Sequence, residues 1–364
     1  MDGGPSIDEL AGDPHPHLAR LRAAGPASFV PALSGWLVTG RAAALTVLHD
    51  PARFTVDDPR FSTAQVVGRS MLSTDGDEHA GHRQPFVAPF RRRRVEERFA
   101  AVVERRVAML LDAIEAQAAA ELRGALAGPL ATGTVADALG LDGDDPTVVD
   151  RLLAWYGDIV GSVAGVAAGR PVTAAGAAAM AALRRELAAA VPTVSVPDAA
   201  VVMFGGIETT EAMILNATWF ALTTAGVWDE LVADRSLVAA AVEESLRMEP
   251  AAAVVDRYAK GDVEVAGASI RAGDLVTVSL AGANRDPDEF PNPDRFDLHR
   301  PNLRRHLAFA AGPHLCLGMD LARLEAVTAL QALVERWPAL TIADGAPAPS
   351  GLVFRKPVSL PVRW

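Results

Sequence analysis

Phe309-Ala310-Ala311-Gly312-Pro313-His314-Leu315-Cys316-Leu317-Gly318 holds the only cysteine of the 364-residue chain and runs into a helical pattern bearing Leu321, Ala322, Leu324 and Glu325. A lone cysteine among apolar residues is ordinarily a buried structural thiol. Here glycines on either side permit a tight loop that another group can approach closely. The start of the following helix points backbone N–H groups at the sulfur, which favours the thiolate that metal ligation requires. His314, two residues earlier, adds a donor for an anionic group on the same ligand.

Composition narrows the classes. The chain carries 34 Lys and Arg against 45 Asp and Glu, a formal net charge of −11. That argues against a nucleic-acid partner, because phosphate affinity needs an excess of positive surface. Half of the residues are hydrophobic, enough for a large core. A single cysteine excludes a disulfide framework and an all-thiolate zinc site, and points to a reducing compartment. No run of about 18 apolar residues occurs, and Met1-Asp2-Gly3-Gly4-Pro5 has neither the basic nor the apolar region of a leader. The expectation is a cytoplasmic monomer with no membrane segment. At about 150 residues per domain the length suggests two. No repeat or low-complexity linker divides the chain, so one mainly α domain (α+β, with small β-sheets) over residues 1–364 is the better reading.

Upstream of the cysteine, DPHPHLARLRAA (13–24) predicts a short helix, ASFVPALSGWLVTG (27–40) a hairpin turning at Ser34-Gly35, and 41–50 a second helix. From Asp77 to about residue 126 the pattern reads as helix, broken at Pro85 and Pro89 and then long and amphipathic. Helical periodicity dominates from about 115 to 225. Strand-like alternation returns in DVEVAGASIRAGDLVTVSL (262–280), and a final helix spans about Leu317 to Trp337 before a tail of short strands.

Three further clusters carry chemistry. Glu244 and Arg247 sit at i and i+3 on one helical face, with Pro293-Asp294-Arg295-Phe296 downstream; alone, such a pair is usually solvated. Gly205-Gly206-Ile207-Glu208-Thr209-Thr210 interrupts an apolar helix, and two adjacent glycines weaken a helix by about 2 kcal/mol against alanine. They mark close packing or a place where something must approach. His79 and Arg83 lie one turn apart in His79-Ala80-Gly81-His82-Arg83, where two basic groups suit a ligand's carboxylates better than each other.

The cysteine segment resembles the haem-ligand loop of the cytochrome P-450 monooxygenases, F-x-x-G-x-H-x-C-x-G, at all five fixed positions. Glu244, Arg247 and Arg295 resemble the family's E-x-x-R and P-x-R-F elements, 205–210 its oxygen-binding groove, and His79 with Arg83 its propionate-binding helix. The resemblance extends over essentially the whole chain and implies the helix-rich, triangular P-450 fold. It implies haem b with Cys316 as thiolate ligand to the iron, Phe309 shielding the sulfur, and His79, Arg83, Arg257 and His314 around the propionates. Gly205 and Gly206 would make room for O2, while Glu208 and Thr209 relay protons. Glu244, Arg247 and Arg295 would form a buried triad supporting the loop. Three departures stand out: Ile207 replaces the usual polar residue before the acid, Asp256 precedes Arg257, and Pro85 follows closely after Arg83.

The implied reaction is insertion of one atom of O2 into an apolar small molecule by hydroxylation or epoxidation, or use of the same oxidant for oxidative coupling. Electrons would come from NAD(P)H through ferredoxin reductase and ferredoxin, because the chain has no flavin or iron–sulfur motif. Arg91, Arg92, Arg93 and Arg94 form a basic patch on an acidic protein, suited to steering an acidic ferredoxin, although a charge run is commonly just a solvated face. The pocket residues by family position include Met203, Phe204, Val254, Val255 and Phe354. The stretches 61–77 and 187–197 look short for the family, so a more open mouth is expected, admitting a bulky or carrier-attached secondary-metabolite intermediate. The alternatives are an H2O2-driven haem peroxygenase, which the Glu208–Thr209 pair disfavours, and a non-catalytic haem-binding or partner-presenting protein.

Overall fold

The computed structural model describes residues 4–167, 170–191 and 194–364. Its helices are α1 (Ile7–Ala11), α2 (His15–Ala24), α3 (Arg41–Leu48), α4 (Ser62–Val67), α5 (Gly76–Val87), α6 (Arg92–Asp112), α7 (Gly128–Ala138), α8 (Pro146–Ala167), α9 (Ala174–Ala190), α10 (Val196–Thr223), α11 (Val227–Ala233), α12 (Val238–Met248), α13 (Leu280–Ala283) and α14 (Met319–Arg336). The strands are β1 (Ala27–Val30), β2 (Gly35–Val38), β3 (Phe54–Thr55), β4 (Ala119–Glu121), β5 (Val254–Ala259), β6 (Val263–Val265), β7 (Ala268–Ile270), β8 (Leu275–Ser279), β9 (Thr341–Ile342) and β10 (Pro361–Arg363).

Helix α10 is apolar on nearly every side, the pattern of a helix enclosed by others. It packs against α7, α12 and α14, with α6 across α14. The largest core cluster follows from this, joining Phe99, Leu122, Leu130, Ile207, Leu246 and Leu330. A five-stranded sheet, ordered β1-β2-β8-β5-β3, lies beside the helices and buries a second cluster around Val38, Phe54 and Val278. The expected hairpin is β1–β2, with Ser34 in the left-handed region at φ 50° before Gly35. The alternation over 262–280 becomes the β6–β7 hairpin and β8.

Two stretches differ from the sequence pattern. Pro85 sits inside α5, and the chain leaves the helix only after Val87. Burial of Phe86 opposes the loss of one backbone hydrogen bond at the proline. The alanine-rich stretch after Asp112 does not continue the helix. Ala118 takes φ 56°, and β4 pairs with β10, Ala120 opposite Val362. A π-helical segment, Arg123–Ala127, then leads into α7. Pairing with the distant C-terminal strand overrides alanine's local helix preference. The stretch 61–77 is no bare loop, since it contains α4, which packs on α8 and α9. Residues 1–3 of the N-terminal stretch, and 192–193 of the 187–197 connection, lie outside the described residues.

Candidate active site

The cysteine loop is shaped by its own backbone. Gly312 adopts φ +72°, and a Cβ there would stand 2.2 Å from the Leu48 carbonyl oxygen, so only glycine lets the loop seat against the end of α3. The Cys316 amide donates to the Phe309 carbonyl at 2.9 Å. Burial raises the Cys316 thiol above its ordinary pKa, opposed by the Gly318 amide and the nearby Arg83 and Arg323 guanidinia. Phe309 lies under the Arg323 guanidinium, 4.5 Å from its ring centre. Arg323 Nε donates to Glu243 Oε1 at 2.6 Å, and His306 Nε2 lies 2.9 Å from Glu243 Oε2. Desolvation pushes the Glu243 carboxyl up, but His306 and Arg323 outweigh it and hold the group at about 2.

Behind this loop lies a buried ion cluster. Arg247 Nε and Nη2 donate to Glu244 at 2.7 and 2.8 Å, with both side chains fully buried. Desolvation lowers the Arg247 pKa, against the opposing pull of Glu244. The third member is Arg300, not the expected Arg295: Arg300 Nε donates to Glu244 Oε1 at 3.0 Å. Arg295 is exposed and contributes only its carbonyl, which accepts from Arg247 and Arg300. Phe296 turns into the core, which sends its neighbour outward. A second arginine ending the run Arg295-Phe296-Asp297-Leu298-His299-Arg300 was the available signal. Asn284 Oδ1 accepts from the Leu307 amide at 2.6 Å, while its carbonyl accepts from Arg247, tying this cluster to the cysteine loop.

Four basic side chains converge beside the loop. The His79 and His314 rings lie 4.2 Å apart, and Arg83 Nη2 donates to the Leu315 carbonyl at 2.6 Å. Arg257 Nη1 donates to the Asp256 carbonyl at 2.7 Å, whereas the Asp256 carboxylate takes the Thr277 hydroxyl, so the two side chains do not pair. Burial lowers Arg257 and raises Asp256. Burial, then the neighbouring His314 and Arg83, lowers His79 to about 4, and its Nε2 is buried with no partner among the described residues. A carboxylate among these groups, Asp75, accepts from His314 Nε2 at 3.0 Å, Thr55 Oγ1 and the Val56 amide. These donors hold it below the usual carboxylate range against desolvation. An orphaned imidazole nitrogen within a basic cradle fits a ligand bearing carboxylates, and so fits haem propionates. His82, in the same motif, instead pairs with Asp198 of α10 at 2.6 Å.

On α10 the two glycines do different work. A Cβ at Gly205 would meet nothing within 4 Å, whereas at Gly206 it would lie 2.8 Å from Val135 Cγ2. Gly206 packs α10 on α7, correcting the expectation that both glycines open the groove. Thr209 Oγ1 bonds back to the Gly205 carbonyl at 2.5 Å. Glu208 is buried, with Lys356 Nζ 2.8 Å from Oε1 and the Tyr156 hydroxyl donating to Oε2. Neither partner was visible in the sequence pattern, because each reaches α10 from a remote segment.

Among the expected pocket residues, Phe204 faces Phe354 with ring centres 5.7 Å apart, and Tyr156 lies 6.2 Å from Phe204. Met203 is buried in the same cluster. Val254 and Val255 point to opposite faces of β5, Val254 joining Leu37 and Ala253, and Val255 joining the sheet cluster. Both pack in clusters other than the one that holds Phe204 and Phe354. Arg91 to Arg94 are exposed at the start of α6. Arg92 bonds Glu96 at 2.8 Å, and Arg93 and Arg94 bond Glu97 at 2.7 and 2.9 Å. The patch is therefore less basic than its sequence. Arg92 also feels Asp320 in the first turn of α14, which sets it on the cysteine side.

The family model described as Cytochrome P450 matches residues 228–351, from α11 through the cysteine loop and α14. The cytochrome P450 monooxygenase PikC of Streptomyces venezuelae is 32% identical, over 100% of this chain and 94% of that protein. Nocardicin C N-oxygenase of Nocardia uniformis subsp. tsuyamanensis is 34% identical, over 99% and 98%. The crystal structure of P450BioI, in complex with acyl carrier protein ligated to hexadec-9Z-enoic acid, has a TM-score of 0.88 at 27% identity, covering 98% of this chain and 99% of that one. With similarity of this extent, the chain belongs to the bacterial cytochrome P450 family and is a haem-dependent monooxygenase that uses O2.

Proposed function

We propose that this enzyme oxygenates an apolar secondary-metabolite intermediate, presented free or on a carrier protein, in the cytoplasm. Electrons pass from NAD(P)H through ferredoxin reductase and ferredoxin. The observation that carries the site assignment is the orphaned His79 Nε2 in a basic cradle beside Cys316. Haem b bound there supplies oxygen activation, one atom of O2 entering the substrate and the other leaving as water.

The residues divide the remaining work. Cys316 provides the thiolate ligand; the Gly318 amide and the Arg83 and Arg323 charges favour its anionic form. Phe309 keeps water from the sulfur. His79, Arg83, Arg257 and His314 anchor the propionates. Gly205 leaves space on the distal side, and Glu208 and Thr209 relay protons toward it, the last step leaving from Thr209 Oγ1. Phe204 and Phe354 form an aromatic wall, which supports an apolar substrate. Similarity to nocardicin C N-oxygenase supports a secondary-metabolite substrate, and the carrier-bound fatty acid of P450BioI supports the carrier reading.

Titrating the haem-loaded protein with apolar acids, free and attached to an acyl carrier protein, tests this by the haem spin-state shift. A carrier-presented substrate gives the tighter titration, and no shift with any apolar ligand defeats the substrate reading. No helix among the described residues is long and apolar enough to cross a membrane. Ferredoxin docks on the cysteine side near Arg91 to Arg94. Reversing these charges is expected to weaken ferredoxin-supported turnover and flatten its salt dependence.

A further inference from the structure

Glu208 and Glu211 are three residues apart on α10, so their carboxylates share one helical face, and they are only 7% and 3% exposed. Two buried like charges need a counter-charge, and it arrives from the far end of the chain. Lys356 Nζ stands 2.8 Å from Glu208 Oε1 and 2.6 Å from Glu211 Oε1. Arg123 Nε donates to that same Glu211 oxygen at 2.8 Å. Two carboxylates thus face two cations, and the cluster is charge-balanced.

Lys356 follows Phe354 by two residues. Backbone bridges from Ala252 to Phe354 and from Ser350 to Lys356 fix this segment. One side chain of the segment meets Phe204 in the aromatic wall, and another grips the carboxylate of Glu208. The Thr209 hydroxyl is bonded to Gly205, and the contacts that orient the Glu208 carboxylate are those from Lys356 and Tyr156. A glutamate free to rotate loses its geometry; a charge-assisted contact in a dry site keeps it.

We propose that Lys356 is a positioning residue for proton delivery, fixing the Glu208 carboxylate and linking it to the substrate wall at Phe354. This rests on the reading of Glu208 and Thr209 as a proton relay. The haem-loaded protein and its Lys356→Met, Lys356→Arg, Glu211→Gln and Glu208→Gln variants test it, together with the double variant Lys356→Met/Glu211→Gln. The double variant removes one charge of each sign, so it conserves the net charge of the cluster and keeps the experiment readable should Lys356→Met fail to fold.

The readouts are product formed per NAD(P)H, H2O2 released, the solvent isotope effect on turnover, and the infrared band of Glu208 assigned by its loss in Glu208→Gln. Lys356→Met and the double variant are expected to lose coupling roughly tenfold, with more H2O2, a larger isotope effect and a displaced Glu208 band. Their reduced-CO spectrum stays unchanged. Glu211→Gln alone stays close to wild type, and Lys356→Arg recovers most of the coupling. Wild-type coupling, isotope effect and infrared band in the double variant overturn the inference. If Glu208→Gln impairs coupling and the lysine variants do not, only the role of Lys356 falls. If Glu208→Gln itself changes nothing, the relay reading falls and this inference with it.

Discussion

The two walls of the site are built by different means. The cysteine loop is shaped locally: Gly312 turns it, and Cys316 bonds back to Phe309 within eight residues. The segment of α10 that carries Gly205 to Thr210 belongs to an uninterrupted helix, and its Glu208 carboxylate is satisfied by residues 52 and 148 positions away, Tyr156 and Lys356. Local motifs therefore describe the first wall well and the second poorly. The sharpest break between the walls is Cys316→Ser, for which loss of the long-wavelength reduced-CO band and of all oxygenation is expected. Changes on α10 should spare that band. A serine variant that keeps the band and the pigment would remove the sulfur from the site.

Legibility followed the same division. The hairpin, α2, α3 and α14 were readable because periodicity and turn residues were close together in sequence. The stretch after Asp112 was not, since its alanines favour helix while pairing with β10 requires an extended chain. Arg300 was missed because two arginines fit the spacing, and only the burial of Phe296 decides between them. The ion cluster at Lys356 needs three segments that nothing local connects.

The buried triad sharpens the contrast next, because it supports the cysteine loop by charge rather than by turn geometry. Removing one member of a buried ion pair strands the others, at a cost of about 3–5 kcal/mol. Glu244→Gln and Arg300→Met should each lower stability on that scale in denaturant unfolding, while Arg295→Ala stays within about 0.5 kcal/mol. Equal losses at Arg295 and Arg300 would reinstate the sequence-based assignment.

Acid should separate the walls as well. The Glu243 carboxyl is held at about 2 by His306 and Arg323, against desolvation. A carboxyl depressed in the folded state contributes stability above its ordinary value of 4.5, and that contribution is lost as pH falls from there through about 2. From this shift the contribution at neutral pH is roughly 3 kcal/mol. Glu243→Gln should therefore be less stable than wild type at pH 7, and the gap should narrow on acidification through that window. A gap independent of pH would mean that Glu243 acts through packing alone.

The smallest effect lies on α10 itself and divides two neighbouring glycines. At Gly206 a methyl group would meet Val135 at 2.8 Å, and forcing α10 off α7 costs about 1–3 kcal/mol. At Gly205 the same methyl enters open space, and replacing a helical glycine with alanine stabilises by up to about 1 kcal/mol. Gly206→Ala should therefore lower the melting temperature, and Gly205→Ala should leave it unchanged or raise it while impairing oxygenation. Opposite signs at adjacent positions would show that one glycine serves packing and the other the cavity. If both variants are equally destabilised, the space beside Gly205 is filled by protein in solution, and the distal wall stands closer to Cys316 than the open position at Gly205 implies.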